Sequence, residues 1–201
     1  MTKGERTKKK LLEIAYELFI TKGYDETSVD DILSIAQIAK GTYYYYFKSK
    51  EQMLEEVIDM MIEHQAKAAA QIASAPLPIP QKIIGVISSF RLTQGEEQIG
   101  ELLERPEDLL MHKKMMEKLI NKVTPLLCGL IEEGITSGIF NCNNIPVRVK
   151  ILLMLSSTLF DDAGQTEEEV TVFIDIAEKI LGAEKGTMGF IKALIQPPPS
   201  N

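Results

Sequence analysis

Cysteine and histidine are scarce, with two of each in 201 residues. Cys128 and Cys142 cannot build a disulfide framework. The first lies in an apolar helical run and reads as core, the second in the polar stretch Asn141-Cys142-Asn143-Asn144. His64 and His112 are far apart in sequence and too few for an ordinary histidine metal site, so no metal and no other cofactor is expected. No His-Glu-x-x-His, Cys-x-x-Cys, glycine-rich phosphate loop or Gly-x-Ser-x-Gly occurs, and a catalytic reading has nothing to start from. The acidic runs Glu132-Glu133 and Glu167-Glu168-Glu169 sit at helix ends, where carboxylates face solvent or favour an N-terminus. No segment approaches 18 uninterrupted apolar residues, and no apolar core follows the basic N-terminal residues. Neither a membrane span nor a secretory leader is expected, and the chain reads as a cytoplasmic protein. There is no internal repeat.

Hydrophobic residues make up 45% of the chain and charged residues 25%, a balance that suits a soluble globular protein with a sizeable core. The net charge is −7, but it is unevenly spread. Residues 1–50 hold nine lysines and arginines against seven acids, a net of +2, which leaves −9 for the rest. An electropositive head on an acidic body fits an oriented nucleic-acid binder better than a protein basic all over.

Apolar spacing is helical throughout, and an all-α fold follows. A first helix is expected over 6–22, with Leu11, Ala15, Leu18 and Phe19 inward and Gly23 as its stop. A short helix follows over 27–36, capped by Thr27 with Asp30 completing a capping box. A third is expected over 40–46 and a long one over 50–73, capped by Ser49. Ala75 to Pro80 cannot continue a helix, because its prolines lack an N–H and restrict their predecessors. Helices are then expected over 81–93, 95–103, 107–135 (kinked or broken at Pro125), 146–160, 167–181 and 187–195. Residues 197–201 form a disordered tail with no readable role.

One stretch stands out: Ala39-Lys40-Gly41-Thr42-Tyr43-Tyr44-Tyr45-Tyr46-Phe47-Lys48-Ser49-Lys50. At 100° per residue Tyr43 and Phe47 share one face and suit a small core, while Thr42 and Tyr45 point broadly the other way. An aromatic root with hydroxyl tips and lysines at both ends can enter a groove lined with phosphate. Hydroxyls donate to phosphate oxygens, and lysine supplies the charge that releases counterions. The alternative is a strand or amphipathic helix packed within a core. The short helix before it, joined by a tight break at Gln37-Ile38, makes the pair a helix-turn-helix.

The run Gly23-Tyr24, Thr27-Ser28-Val29-Asp30-Asp31-Ile32, Ala36, Lys40-Gly41-Thr42, Tyr44 and Tyr46-Phe47-Lys48-Ser49-Lys50-Glu51 resembles the TetR family of bacterial transcriptional repressors. The resemblance covers roughly residues 7–55. It departs at two places: Gln37 stands where the family usually has Gly, and Ala39 where it usually has Ser or Thr before the recognition helix. The resemblance implies a DNA-binding head over 1–50 and a ligand-binding and dimerisation body over 51–201, connected by the helix 50–73. It places Lys40, Gly41, Thr42 and Tyr44 near base edges, and Thr27, Ser28, Tyr45, Tyr46 and Lys50 on phosphates. Lys3, Arg6 and Lys8 to Lys10 are either a solvated basic end or a further approach to the DNA backbone.

It also implies a homodimer through the helices near 146–160 and 167–181. Val149, Leu152, Leu153 and Ser156 line one face of the first, and Val170, Phe173, Ile174, Ala177, Ile180 and Leu181 one face of the second. These stripes either pair across the dimer or close the monomer core. A small-molecule effector is expected in a pocket framed by the fifth to eighth helices, with Phe90, Arg91, Met111, His112, Met115, Leu119 and Phe160 as candidates. Met116 and Met154 are further adaptable side chains there. The function implied is a ligand-responsive repressor that leaves a palindromic double-stranded DNA operator when a small molecule binds. The alternative is a protein of this fold that acts through a protein partner as coactivator or adaptor, with Gln37 and Ala39 as its hints.

Overall fold

The computed structural model describes residues 2–160 and 166–195, and among them every regular element is helical. The proline-rich stretch 196–201 lies outside the described residues. Helix α1 (Lys3–Thr21) starts at a capping box of Thr2 and Glu5 and buries Leu11, Ala15 and Phe19. Helix α2 (Val29–Ala36) and helix α3 (Lys40–Tyr46) follow. Helix α4 (Lys50–Ala73) begins where Ser49 Oγ accepts from the Gln52 N–H at 3.1 Å.

Helix α5 spans Ile79–Ser88, two residues earlier at its start than the prolines suggest. Pro80 lies in the first turn, where its missing N–H would have had no helical partner. Helix α6 (Glu97–Leu103) is followed by a 3₁₀ turn at Pro106–Asp108 and by helix α7 (Leu109–Thr136), which continues through Pro125 without a break. Helix α8 (Ile145–Leu159) and helix α9 (Glu167–Leu181) come next, α9 opening on a capping box of Thr166 and Glu169. The C-terminal stretch is a 3₁₀ turn at Gly189–Ile191 leading into the one-turn helix α10 (Lys192–Ile195), rather than one helix over 187–195.

Contacts divide the chain into two compact units that do not follow a boundary at residue 50. The first gathers the residues up to 64 with 92–118, and the second gathers 65–91 with the chain from 119 onward. In the first, Leu11, Phe19, Ile32, Tyr43, Phe47, Leu54 and Val57 are fully buried, with Ile99 and Leu103 of α6. Burying each such side chain stabilises by about 1.5–3 kcal/mol relative to exposure. Glu96, itself buried, anchors the segment before α6: it accepts from Tyr16 Oη at 3.0 Å and from Thr93 N and Oγ1 at 2.7 and 2.6 Å. The first halves of α4 and α7 are tied by Glu55–Lys114 at 3.0 Å and by Asp59–Lys118, one turn further along each.

In the second unit the core is built from Ile83, Val86, Val123, Leu127, Leu130, Ile131, Val149 and the α9 stripe of Val170, Phe173, Ile174, Ala177 and Leu181. The stripes expected on the last two long helices therefore turn inward within one chain. Gly182 ends α9 at φ 64°, and a Cβ there would lie 2.0 Å from the Asn141 carbonyl oxygen. Only glycine fits that backbone and that approach. The buried Glu178 carboxylate accepts from the N–H groups of Gly186 and Met188 at 2.8 and 2.9 Å, which fixes the chain into the C-terminal turns.

Candidate nucleic-acid interface and apolar cavity

Helix α2 begins one residue later than the sequence suggests, and the physical reason lies in Thr27. Its side chain is fully buried, and its hydroxyl donates to the Gly23 carbonyl at 2.7 Å. The cap is Ser28, whose Oγ accepts from the Asp31 N–H at 3.1 Å while the Asp31 carboxylate accepts from the Ser28 N–H at 2.8 Å. Asp31, not Asp30, completes the box. The Lys22 ammonium at 2.7 Å, with the two Ser28 donors, holds the Asp31 carboxyl well below the usual carboxylate range. A depressed carboxylate favours the folded state only while ionised. This contribution is present in full above about pH 4 and is lost as the pH falls towards the folded-state value.

The turn between α2 and α3 places Gln37 in the left-handed region, at φ 56° and ψ 47°. A residue with a Cβ is strained there, and a glycine would not be. Lys10 Nζ covers this end of α2 by donating to the Ala36 carbonyl at 3.3 Å. Ala39 stands at the N-cap of α3 with no side-chain hydrogen bond to give. Replacing it by serine is expected to stabilise the first unit by about 1 kcal/mol, the usual worth of a hydroxyl cap. Chemical denaturation of Ala39→Ser against the parent checks this, and an unchanged midpoint would mean that α3 is already held by its aromatic root.

That root is well defined. Tyr43 and Phe47 are fully buried with ring centroids 5.6 Å apart, and Lys8 Nζ lies 5.5 Å from the Phe47 centroid. Burial pushes the Tyr43 phenol up to about 12, and its hydroxyl donates to the Ser49 carbonyl at 3.3 Å. The opposite face is open. Tyr45 is 81% exposed and Tyr44 49%, and Lys40 and Gly41 are exposed as well. Thr42 and Tyr46 are half-buried, the Tyr46 hydroxyl lying near Gly4 of α1. A Cβ on Gly41 would meet nothing within 4 Å, so packing within the chain gives no reason for a glycine at this helical position.

Lys50 is engaged from a quarter that the sequence does not reveal. Its Nζ lies 4.1 Å from the Tyr24 ring centroid and 3.4 Å from the Asp25 carbonyl oxygen. Burial lowers its pKa below the ordinary lysine value. The Asp25 carboxylate in turn pairs with Arg105 at 2.8 Å. Nothing in the local sequence pattern could have connected residues 25 and 105.

A second feature lies wholly within the second unit. A cavity of about 320 Å³ is lined by Ile83 and Ile87 of α5 and Arg91 just beyond it, and by Val149, Leu152, Leu153, Ser156 and Ser157 of α8 with Phe160 at its C-cap. Helices α7 and α9 and the C-terminal turns complete the wall. Of the residues expected to frame a pocket, Arg91 and Phe160 line this cavity, whereas Phe90, Met111, His112, Met115 and Leu119 do not. Phe90 is buried, and Met111, His112 and Met115 fall in the first unit. Met154 is 53% exposed on the other side of α8, in a shallow groove with Ile120, Thr124, Cys128, Val147 and Ile151.

Comparison with known proteins decides the family. A profile of bacterial regulatory proteins of the tetR family matches residues 11–57, which contain α2, α3 and their buried root. Over 178 residues the chain is 37% identical to the HTH-type transcriptional regulator EthR of Mycolicibacterium smegmatis, covering 83% of this chain and 82% of that one. The chain belongs to the TetR family. It is similar also to the uncharacterised HTH-type transcriptional regulator YhgD of Bacillus subtilis, at 26% identity over 77% of this chain and 83% of the relative. A solved transcriptional regulator from Cytophaga hutchinsonii shares the fold at a TM-score of 0.59 and 17% identity, across 91% of this chain and 95% of that one. The protein is thus a helix-turn-helix transcriptional regulator, from a family of regulators and not of enzymes. Such regulators bind DNA operators, typically as dimers with small-molecule effectors. No helix among the described residues is long and apolar enough to cross a membrane.

Proposed function

We propose that this regulator is a homodimeric repressor whose α3 enters the major groove of each half of a palindromic operator and which a small molecule releases. The observation that carries the reading is the two-faced character of α3. Its aromatic root is sealed, while Tyr44, Tyr45, Lys40 and the bare backbone of Gly41 face outward. Lys40, Gly41, Thr42 and Tyr44 are assigned to base edges, where a missing side chain lets the backbone approach closely. Ser28, Tyr45, Tyr46 and Lys50 are assigned to phosphates. Lys50 spends one donor on the Asp25 carbonyl and has two left. For Thr27 the buried hydroxyl leaves a supporting role, holding the start of α2 against Gly23.

The dimer is assigned to α8 and α9, on the faces turned away from the cavity. Val147, Ile151 and Met154 recur at helical spacing along α8 and are exposed, as is Val172 of α9. An apolar stripe of this kind suits a self-complementary four-helix contact. The effector is assigned to the cavity of the second unit. A ligand that favours a conformation with the heads wrongly spaced for two half-sites shifts the population away from the DNA-competent form.

The test is binding to DNA from immediately upstream of the protein's own gene, across a salt series, with the parent and Tyr44→Ala. Selective binding with a steep salt slope is expected, weakened by roughly ten- to hundredfold in the variant, the usual worth of a base contact. Weak binding that is equal on scrambled DNA and indifferent to Tyr44, here and on genome-selected fragments, would turn the reading towards an adaptor that works through a protein partner.

A further inference from the structure

The cavity of the second unit has two unlike ends. Lys82, at the start of α5, pairs with Glu133 near the end of α7 at 2.9 Å. Beside Glu133, the Cα of Gly134 is covered by the Phe140 ring, and the next residue donates from Asn141 N to the Leu181 carbonyl at 3.0 Å. These contacts, with the hydrogen bond that Arg148 at the start of α8 donates to the Ile180 carbonyl, gather the start of α5, the end of α7, the start of α8 and the end of α9 at one end of the unit. The opposite end is marked by Phe160 and Phe173, whose ring centroids are 5.1 Å apart. Arg91 lies on that side, three residues past the last residue of α5, whose first turns hold Lys82 and Ile83.

All the polar residues of the lining belong to this second end. Arg91, Ser156 and Ser157 are there, and every other lining residue is apolar. The two hydroxyls are already committed as donors: Ser156 Oγ donates to the Leu153 carbonyl at 2.9 Å and Ser157 Oγ to the Met154 carbonyl at 3.0 Å. Their oxygens remain only as acceptors. The Arg91 guanidinium is exposed and makes no hydrogen bond or ion pair with a described residue. It offers five donors in a planar fork, a match for a carboxylate.

We propose that this cavity takes an unbranched amphipathic monoanion, its tail along α5 and α8 and its carboxylate on Arg91. The assignment rests on the effector reading above and names the ligand class for that site. An apolar bore with an arginine at one end that no described residue engages selects against cations through charge and against neutral alcohols through the lost pairing. Each methylene withdrawn from the bore weakens binding roughly fourfold.

The test is isothermal titration of the full chain with decanoate, decanol and decyltrimethylammonium, each below its micelle concentration, with octanoate and butanoate as shorter acids. Decanoate is expected to bind best, octanoate more weakly by roughly tenfold or more, and butanoate and the cation not measurably. Arg91→Gln is expected to weaken decanoate by roughly ten- to hundredfold and to leave decanol unchanged, and Arg91→Lys to fall between. Arg91 is exposed, so these variants fold; the ranking of the three heads on the parent protein is independent of them in any case. Decanol binding as tightly as decanoate, or equal losses for both in Arg91→Gln, would overturn the assignment, as would the absence of any decanoate binding. Operator affinity measured in the same samples separates the two readings. Decanoate bound through Arg91 with operator affinity unchanged removes the release mechanism and leaves the ligand assignment standing. Release by a molecule that ignores Arg91 does the reverse.

Discussion

Phe47→Ala is expected to destabilise the first unit by about 3–5 kcal/mol, the range for truncating a buried aromatic to alanine. Phe47 is fully buried against Tyr43 and under the Lys8 ammonium. Its loss leaves a void between α3 and α1 and removes the face that orients the whole helix. Total stabilities of 5–15 kcal/mol make this a large fraction of what holds any domain together. Operator binding should then fail at growth temperature and recover on cooling, because folding and not contact chemistry has been damaged. Tyr45→Ala is the contrast. Tyr45 is 81% exposed, so its removal should leave the melt within about 0.5 kcal/mol of the parent. The pair is read by chemical denaturation together with operator binding at two temperatures. A Phe47→Ala protein that melts like its parent would refute the rooted-helix description of α3.

Ile151→Lys combined with Met154→Lys is expected to convert a dimer into a monomer while the single chain stays folded. Both side chains are exposed on α8, at 44% and 53%, so neither lysine has to be buried in an isolated chain. In a dimer through this face four ammonium groups would be brought together in an apolar contact, at the cost of desolvation and mutual repulsion. Sedimentation should report half the parent mass, with an unchanged helical signal. Operator affinity should fall by at least about a hundredfold, since a monomer gains no effective concentration from a partner already seated on the other half-site. A variant that keeps the parent mass would move the dimer contact off this face of α8.

Local pattern carried a good deal of this. Helices α3, α4 and α9 have the bounds that their caps, apolar spacing and flanking residues imply, because those signals are carried by residues within one or two turns of each other. Tyr43 and Phe47 could be read as a root because a helix brings i and i+4 to one face whatever surrounds it. The misplaced cap at Thr27 shows where such reading stops. Thr27 and Ser28 are equivalent as capping residues, and only the packing of Gly23 and Leu18 over the Thr27 hydroxyl makes the choice. Lys50 is another case, its surroundings of Tyr24 and Asp25 lying across a folded loop.

The cavity was less legible still. Methionines and a histidine on α7 suggested a lining, but facing directions on a 28-residue helix depend on what packs beside each turn. The lining comes instead from Ile83 and Ile87 of α5 with Arg91 just past its end, from the Val149 to Phe160 stretch at α8, and from Leu127 and Ile131 further along α7. That face carries a stripe which periodicity alone allows either to cross a dimer or to close a monomer.

The sequence by itself determined that the chain is helical, that a helix-turn-helix lies near its N-terminus, and which two aromatics anchor the second helix of that motif. Those properties follow from local backbone preference and from the period of the apolar residues. Tertiary structure decided which side of α8 lines a cavity, which hydroxyl caps α2, what surrounds Lys50 and where the Arg91 guanidinium meets an apolar bore. Each of these depends on groups distant in sequence that compete for the same buried space, and burial is settled only when the helices have packed.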